Sequence, residues 1–110
     1  ERYYMQLNIF ERIVLIDMLP KEGHYADLKA IRLAREVLSL NEEEVKETGY
    51  FEQEGKAFFE PQPALALIKD IPISEWVTNT IQSILVKKEK DGKLEDRSLT
   101  LYDKFVMANE

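Results

Sequence analysis

The residues able to do chemistry are few and scattered. His24 is the single histidine and cysteine is absent, which excludes two-histidine and thiolate metal sites, cysteine nucleophiles and a disulfide framework. A histidine-based triad needs a serine and a carboxylate gathered round the imidazole, and no nucleophile-elbow signature occurs. The run KKEKDGKLEDRS has the acidic-glycine look of a calcium loop. Aligning Gly92 with the loop's obligatory glycine puts Lys87 at the first ligand position and Ser98 at the last, where acids are needed, so that reading fails. Gly23, Gly49, Gly55 and Gly92 are far apart and each suits a turn, leaving no phosphate-cradling loop. The expectation is a protein that is not an enzyme, with no cofactor and no metal.

What remains is charge. Glu42, Glu43, Glu44 and Glu47 stand against Lys46 alone, and Glu52, Glu54 and Glu60 against Lys56. Consecutive helical residues point about 100° apart, so Glu42, Glu43 and Glu44 do not converge on one cation. Two roles fit them: a well-capped structural helix, or a docking surface for a basic partner built from Glu42, Glu43, Glu44, Glu47, Glu52 and Glu54. A basic stripe at Lys29, Arg32 and Arg35 is the alternative face, with Glu36 beside it. A solvated helix side is its simplest role.

The elements that must position these groups follow from periodicity. LNIFERIVLIDMLP, from Leu7 to Pro20, is apolar almost all round a helical wheel, with Asn8, Glu11 and Arg12 on its polar arc and Asp17 opposite. Such a helix is central or lies at an oligomer interface, and Pro20 ends it. From Tyr25 to Leu38 the residues Ala26, Ala30, Ile31, Ala34, Val37 and Leu38 recur at helical spacing. Asn41 is then a natural N-cap, the following glutamates suit the helix dipole, and Gly49 closes a short helix. YFEQEGKAFFE reads as a hairpin turning at Glu54-Gly55, with adjacent Phe58 and Phe59 on opposite faces.

Beyond the hairpin, PALALIKD reads as a short helix or an irregular link, and Ile71-Pro72-Ile73 as an edge strand. Ser74 caps a helix to about Lys90 with Trp76, Val77, Ile81, Ile84 and Leu85 on one stripe, and Asp91-Gly92 stops it. A last helix from Glu95 or Asp96 places Leu99, Tyr102 and Val106 on the core, flanked by Leu101 and Phe105. The fold expected is α+β: one mostly helical domain over residues 1–110, with four to five helices and a small hairpin or three-stranded sheet. Glu1 to Tyr4 read as a non-native or unstructured extension ahead of Met5.

Helix, helix, short helix, hairpin is the element order of a winged helix, in which the third helix enters the major groove. The acidic content argues against that role, because phosphate contacts come from basic residues. Nucleic acid is therefore disfavoured as a partner. The winged-helix transcription regulator stays as the alternative, reading DNA through Lys29, Arg32, Arg35, Lys87, Lys88 and Lys90.

At 110 residues and 45% hydrophobic content, the chain can bury roughly two-thirds of its unfolded surface. The longest apolar run, Ile13 to Ile16, falls far short of the ~20 residues of a membrane span. With no leader signal and no cysteine, a soluble cytoplasmic protein is expected. A net charge of −6 favours basic partners over a range of about 8 Å in physiological salt. Trp76, Tyr50, Phe51 and Phe58 either pack in the core or form an exposed aromatic patch that marks a protein interface. With the apolar first helix they raise the expectation of a homodimer.

The stretch FERIVLIDMLPKEGHYADLKAIRLAREVLSLNEEEVKETG, followed by a hairpin and a closing LTLYDKF, resembles small bacteriophage- and prophage-encoded proteins of unassigned function. They open like ERxxLxxxLPxxG and continue with a Leu-Lys-containing helix and a Ser-x-Glu-Glu-like cap. Glu11, Arg12, Leu15, Leu19, Pro20, Gly23, Leu28, Lys29, Arg32 and Glu43 to Glu44 match, as does Leu101 to Phe105. The resemblance implies a phage accessory protein, an inhibitor or adaptor, acting on a protein of host or phage.

Overall fold

The first element is one that periodicity did not disclose. In the computed structural model, which describes residues 3–109, Tyr3–Asn8 is a strand, β1, and it runs without a loop into helix α1 (Ile9–Met18). Of the four residues read as an extension, Tyr3 and Tyr4 stand in β1, while Glu1 and Arg2 lie outside the described residues. β1 pairs antiparallel with β4 (Ile68–Ile73), Met5 opposite Ile71 and Tyr4 opposite Pro72. Met5, Leu7, Ile71 and Ile73 share one face and pack into the core, whereas Tyr4, Gln6, Asp70 and Pro72 share the other. Among the described residues β4 has a neighbour on one side only, which is why proline is tolerated there.

Asn8 ends the strand and starts the helix. Its Oδ1 accepts from Glu11 N at 2.7 Å, and Glu11 Oε1 accepts from Asn8 N at 3.0 Å, a reciprocal capping box. The polar arc expected on α1 is therefore not a solvent face. Glu11 and Arg12 are each 1% exposed, because both find internal partners: Lys104 donates to Glu11 at 2.8 Å, and Arg12 to the groups described below. Asp17 does face solvent and accepts from Arg97 at 2.9 Å. α1 ends where Leu19 adopts ψ 142°, the extended conformation that a following proline imposes.

Helix α2 occupies Tyr25–Leu38 and helix α3 Glu42–Thr48. The hairpin β2 (Phe51–Gln53) and β3 (Lys56–Phe58) follows, then helix α4 (Pro61–Ala66) with proline at its first turn. After β4, helix α5 (Glu75–Lys90) is capped by Ser74 Oγ accepting from Val77 N at 3.2 Å. A 3₁₀ turn at Asp96–Ser98 leads into helix α6 (Leu99–Phe105). Among the described residues this makes six helices and two separate two-stranded antiparallel sheets, an α+β fold. The first three helices and the hairpin come in the order that the sequence suggests.

One cluster joins β1, β4 and helices α1, α2, α5 and α6 through Leu7, Leu15, Ile31, Ile71, Ile81 and Phe105, among others. Several residues read on apolar stripes are outside it, Ala26 and Val37 of α2 among them. Leu99 is 51% exposed, because α6 turns Leu101 and Phe105 inward instead. Trp76 is 42% exposed: the buried stripe of α5 is Val77, Ile81 and Leu85, and Trp76 lies one position round the helix. No helix among the described residues is long and apolar enough to cross a membrane.

Candidate protein-interaction site

The acidic helix and hairpin form one unit, anchored from below. Asn41 Oδ1 accepts from Glu44 N at 2.8 Å and Glu44 Oε1 from Asn41 N at 2.9 Å, a second capping box. The same Glu44 carboxylate receives the Arg12 guanidinium, which also donates from Nε to Leu38 O at 3.0 Å and from Nη2 to Ser39 O at 2.6 Å. A single buried cation thus ties α1 to the end of α2 and the start of α3. Desolvation pushes the Glu44 carboxyl upward. The hydrogen bonds from Arg12 and Asn41, with the charges of Arg12 and Lys69, outweigh it and hold the group below the usual range. Glu44 is therefore a structural ligand of Arg12, and not part of an outward-facing acidic surface.

Glu42, Glu43 and Glu47 are exposed. Gly49, at φ +65°, closes α3, and Glu60 N donates to Thr48 O at 2.7 Å, pinning the foot of the hairpin to the helix end. Glu54 and Gly55 both have positive φ, 53° and 76°, as a two-residue type I′ connection requires. Glu52 accepts from the Tyr50 hydroxyl at 2.7 Å. Desolvation and that carboxylate's hydrogen bond and charge push the Tyr50 hydroxyl up to about 12.

The register shows how the hairpin presents itself. Phe51 is opposite Phe58 and Glu52 opposite Ala57, so the two phenylalanines share one face, and glutamate and alanine share the other. Glu52 and Ala57, both exposed, line a groove of about 760 Å³ together with Phe10, Ile13, Val45 and Phe59. Lys21, Arg35, Lys56 and Arg97 also line that groove. Phe51 and Phe58 turn away from it, stacked with centroids 5.1 Å apart and 53% and 43% exposed. Phe59, next in sequence, packs on Phe10 with centroids 5.9 Å apart, as the opposite-face reading requires.

The alternative basic face fares differently. Lys29 and Arg32 are exposed, but Arg35 bends back to donate to Leu19 O and Pro20 O at 3.0 and 2.9 Å, serving the carbonyls that end α1. Lys87 pairs with Asp91 at 3.0 Å and Lys88 with Glu95 at 3.9 Å. His24 is exposed ahead of α2 and makes no cap hydrogen bond. Among the described residues no group of three or more His, Cys, Asp or Glu could hold a metal ion.

Sequence reasoning missed Arg12, the residue on which the site's foundation rests. The available signal was its place beside Glu11 on an otherwise apolar helix, where a wheel offered solvent as the obvious destination. No family model, curated protein or solved structure matches the chain.

Proposed function

We propose that the protein is a non-enzymatic interaction module that binds a basic protein partner through the α3–hairpin unit. Phe51 and Phe58 are the apolar anchors, and Glu42, Glu43, Glu47 and Glu54 are the charged surround. The observation that carries this reading is the exposed phenylalanine pair. A structural hairpin turns its large apolar face to the body, whereas here both strands are exposed throughout and two stacked phenylalanines are left about half open to solvent. Covering each ring is worth on the order of 1–2 kcal/mol, the scale of an interface anchor.

Charge selects the partner. Leaving out Glu44, which Arg12 neutralises, six carboxylates between Glu42 and Glu60 stand against two lysines, so the unit carries a net excess of negative charge. Such a field accelerates encounter with a basic surface and disfavours acidic ones. The resemblance to phage and prophage proteins suits an accessory, inhibitor or adaptor role in the cytoplasm. A sharper variant is competition for a nucleic-acid site, with these carboxylates standing in for phosphates. The winged-helix alternative draws less support: Arg35, Lys87 and Lys88 already have partners, and the helix that would enter the groove is the acidic one.

The test is affinity capture of the tagged chain from nuclease-treated bacterial lysate, alongside Phe51→Ser/Phe58→Ser and Glu43→Lys/Glu47→Lys variants. A protein retained by the wild type, released at high salt and lost with either double variant supports the reading. Retention that requires nucleic acid, or that ignores both variants, overturns it.

A further inference from the structure

Helix α2 carries two apolar stripes, and the core uses one of them. Ile31 and Leu38 face inward. Ala26, Ala30, Leu33 and Val37 follow one another at spacings of four, three and four, the pattern of a coiled-coil seam. This second stripe lies toward solvent: Leu33 is 63% exposed, Val37 and Ala26 are exposed, and Ala30 is half-buried. Beside it runs a cleft of about 180 Å³, where Ala30, Leu33, Ala34 and Val37 meet Pro72 and Val77 of the β4–α5 junction. The apolar first helix, which at the level of sequence suggested a dimer, is by contrast in contact with β1, α2 and α4.

The stripe is complementary to itself, first in size. Laid antiparallel against a second copy, Ala26 faces Val37 and Ala30 faces Leu33, so every layer sets a large side chain on an alanine. A parallel arrangement sets Leu33 on Leu33 and leaves facing alanines that do not meet.

It is complementary also in charge. Lys29 and Glu36, seven residues apart, border the stripe on its solvent side, where antiparallel seams bring like positions together. The same register places Lys29 of each copy opposite Glu36 of the other. Both are exposed, and neither has an ion pair within the chain among the described residues.

We propose that α2 is the interface of a two-fold homodimer, in which two copies cross antiparallel through Ala26, Ala30, Leu33 and Val37 and are bracketed by two Lys29–Glu36 pairs. The inference goes beyond the hairpin's docking role and does not depend on it. One helix seam is smaller than a standard interface, so association is expected to be weak, with dissociation roughly in the range 1–100 μM.

Sedimentation velocity of the full chain tests this across concentrations spanning that range. Leu33→Glu, at an exposed position, leaves far-UV circular dichroism unchanged and is expected to be monomeric throughout. Lys29→Glu or Glu36→Lys alone weakens association roughly tenfold by setting like charges together, and the combined swap restores it. Register is read by oxidative cross-linking, since the chain has no cysteine of its own: Ala30→Cys mixed with Leu33→Cys links faster than either variant alone. A monomer at every concentration, a dimer indifferent to Leu33→Glu, failure of the combined swap to restore association, or preferential self-linking of Leu33→Cys overturns the proposal.

Discussion

Replacing Arg12 with methionine removes a cation that is 1% exposed while keeping an apolar stem of similar reach. The change deletes every hydrogen bond the guanidinium makes: two to the carbonyls of Leu38 and Ser39 and those to Glu44. Leu38 is buried, so its carbonyl is left without that donor at a cost of about 1–3 kcal/mol. Glu44 keeps the Asn41 N–H, and its side chain is 14% exposed. Water can therefore offset part of the lost ion pair, and the penalty stays below the 3–5 kcal/mol of a fully buried one. The expected loss is about 3 kcal/mol in total, against a domain stability of about 5–15 kcal/mol.

In urea unfolding followed by far-UV circular dichroism, a loss of that size lowers the midpoint by roughly 1–2 M. Arg12→Lys, which keeps the charge but not the planar fork, falls between wild type and Arg12→Met. In the Arg12→Met background Glu44→Gln costs less than it does in the wild type, because its partner is already gone. A loss under about 1 kcal/mol for Arg12→Met, within reach where a hydrophobic replacement packs well, would refute the claim that this cation holds α1, α2 and α3 together.

Three further outcomes follow from the same geometry. Glu44 is held below its ordinary value of 4.5, so its contribution to stability is complete above about pH 4.5 and is lost as the pH falls through the lower folded-state value. Glu44→Gln should lower stability at neutral pH and flatten the acid limb of a stability–pH profile measured by urea titration. Gly49→Ala meets no heavy atom within 4 Å, so its cost is the left-handed backbone alone, about 1 kcal/mol, read as a lower thermal midpoint. Leu99→Ser should change stability by less than about 0.5 kcal/mol, and Leu101→Ala should cost about 2–5 kcal/mol. Equal effects of the two would show that the inward face of α6 is misassigned.

Local signals carried much of the architecture. The span of α2, both ends of α3 and the Glu54-Gly55 turn are set by groups a few residues apart, through Asn41, Gly49 and the alternation of the hairpin. The Ser74 cap and the Asp91-Gly92 stop of α5 are likewise local. β1 was not legible, because a six-residue strand depends on a partner sixty or more positions away. Without it, Leu7 and Asn8 read as the start of a helix. Leu99 and Trp76 were misplaced for a related reason: periodicity gives an apolar arc, and only the neighbours decide which part of it they cover.

The acidity of the Glu42 to Glu60 segment, the absence of cysteine and of a second histidine, and the caps of α3 and α5 at Asn41 and Ser74 were determined by the sequence itself, since composition and short-range hydrogen bonding need no third dimension. Only the tertiary structure decided that Arg12 is buried beneath Glu44, that Arg35 serves the end of α1, and that Phe51 and Phe58 face water while Glu52 and Ala57 line the groove. The physical reason is the same in all three cases. A long charged side chain, or either face of a strand, has two destinations of similar local energy, and the choice falls to buried carbonyls and apolar floors that residues remote in sequence supply.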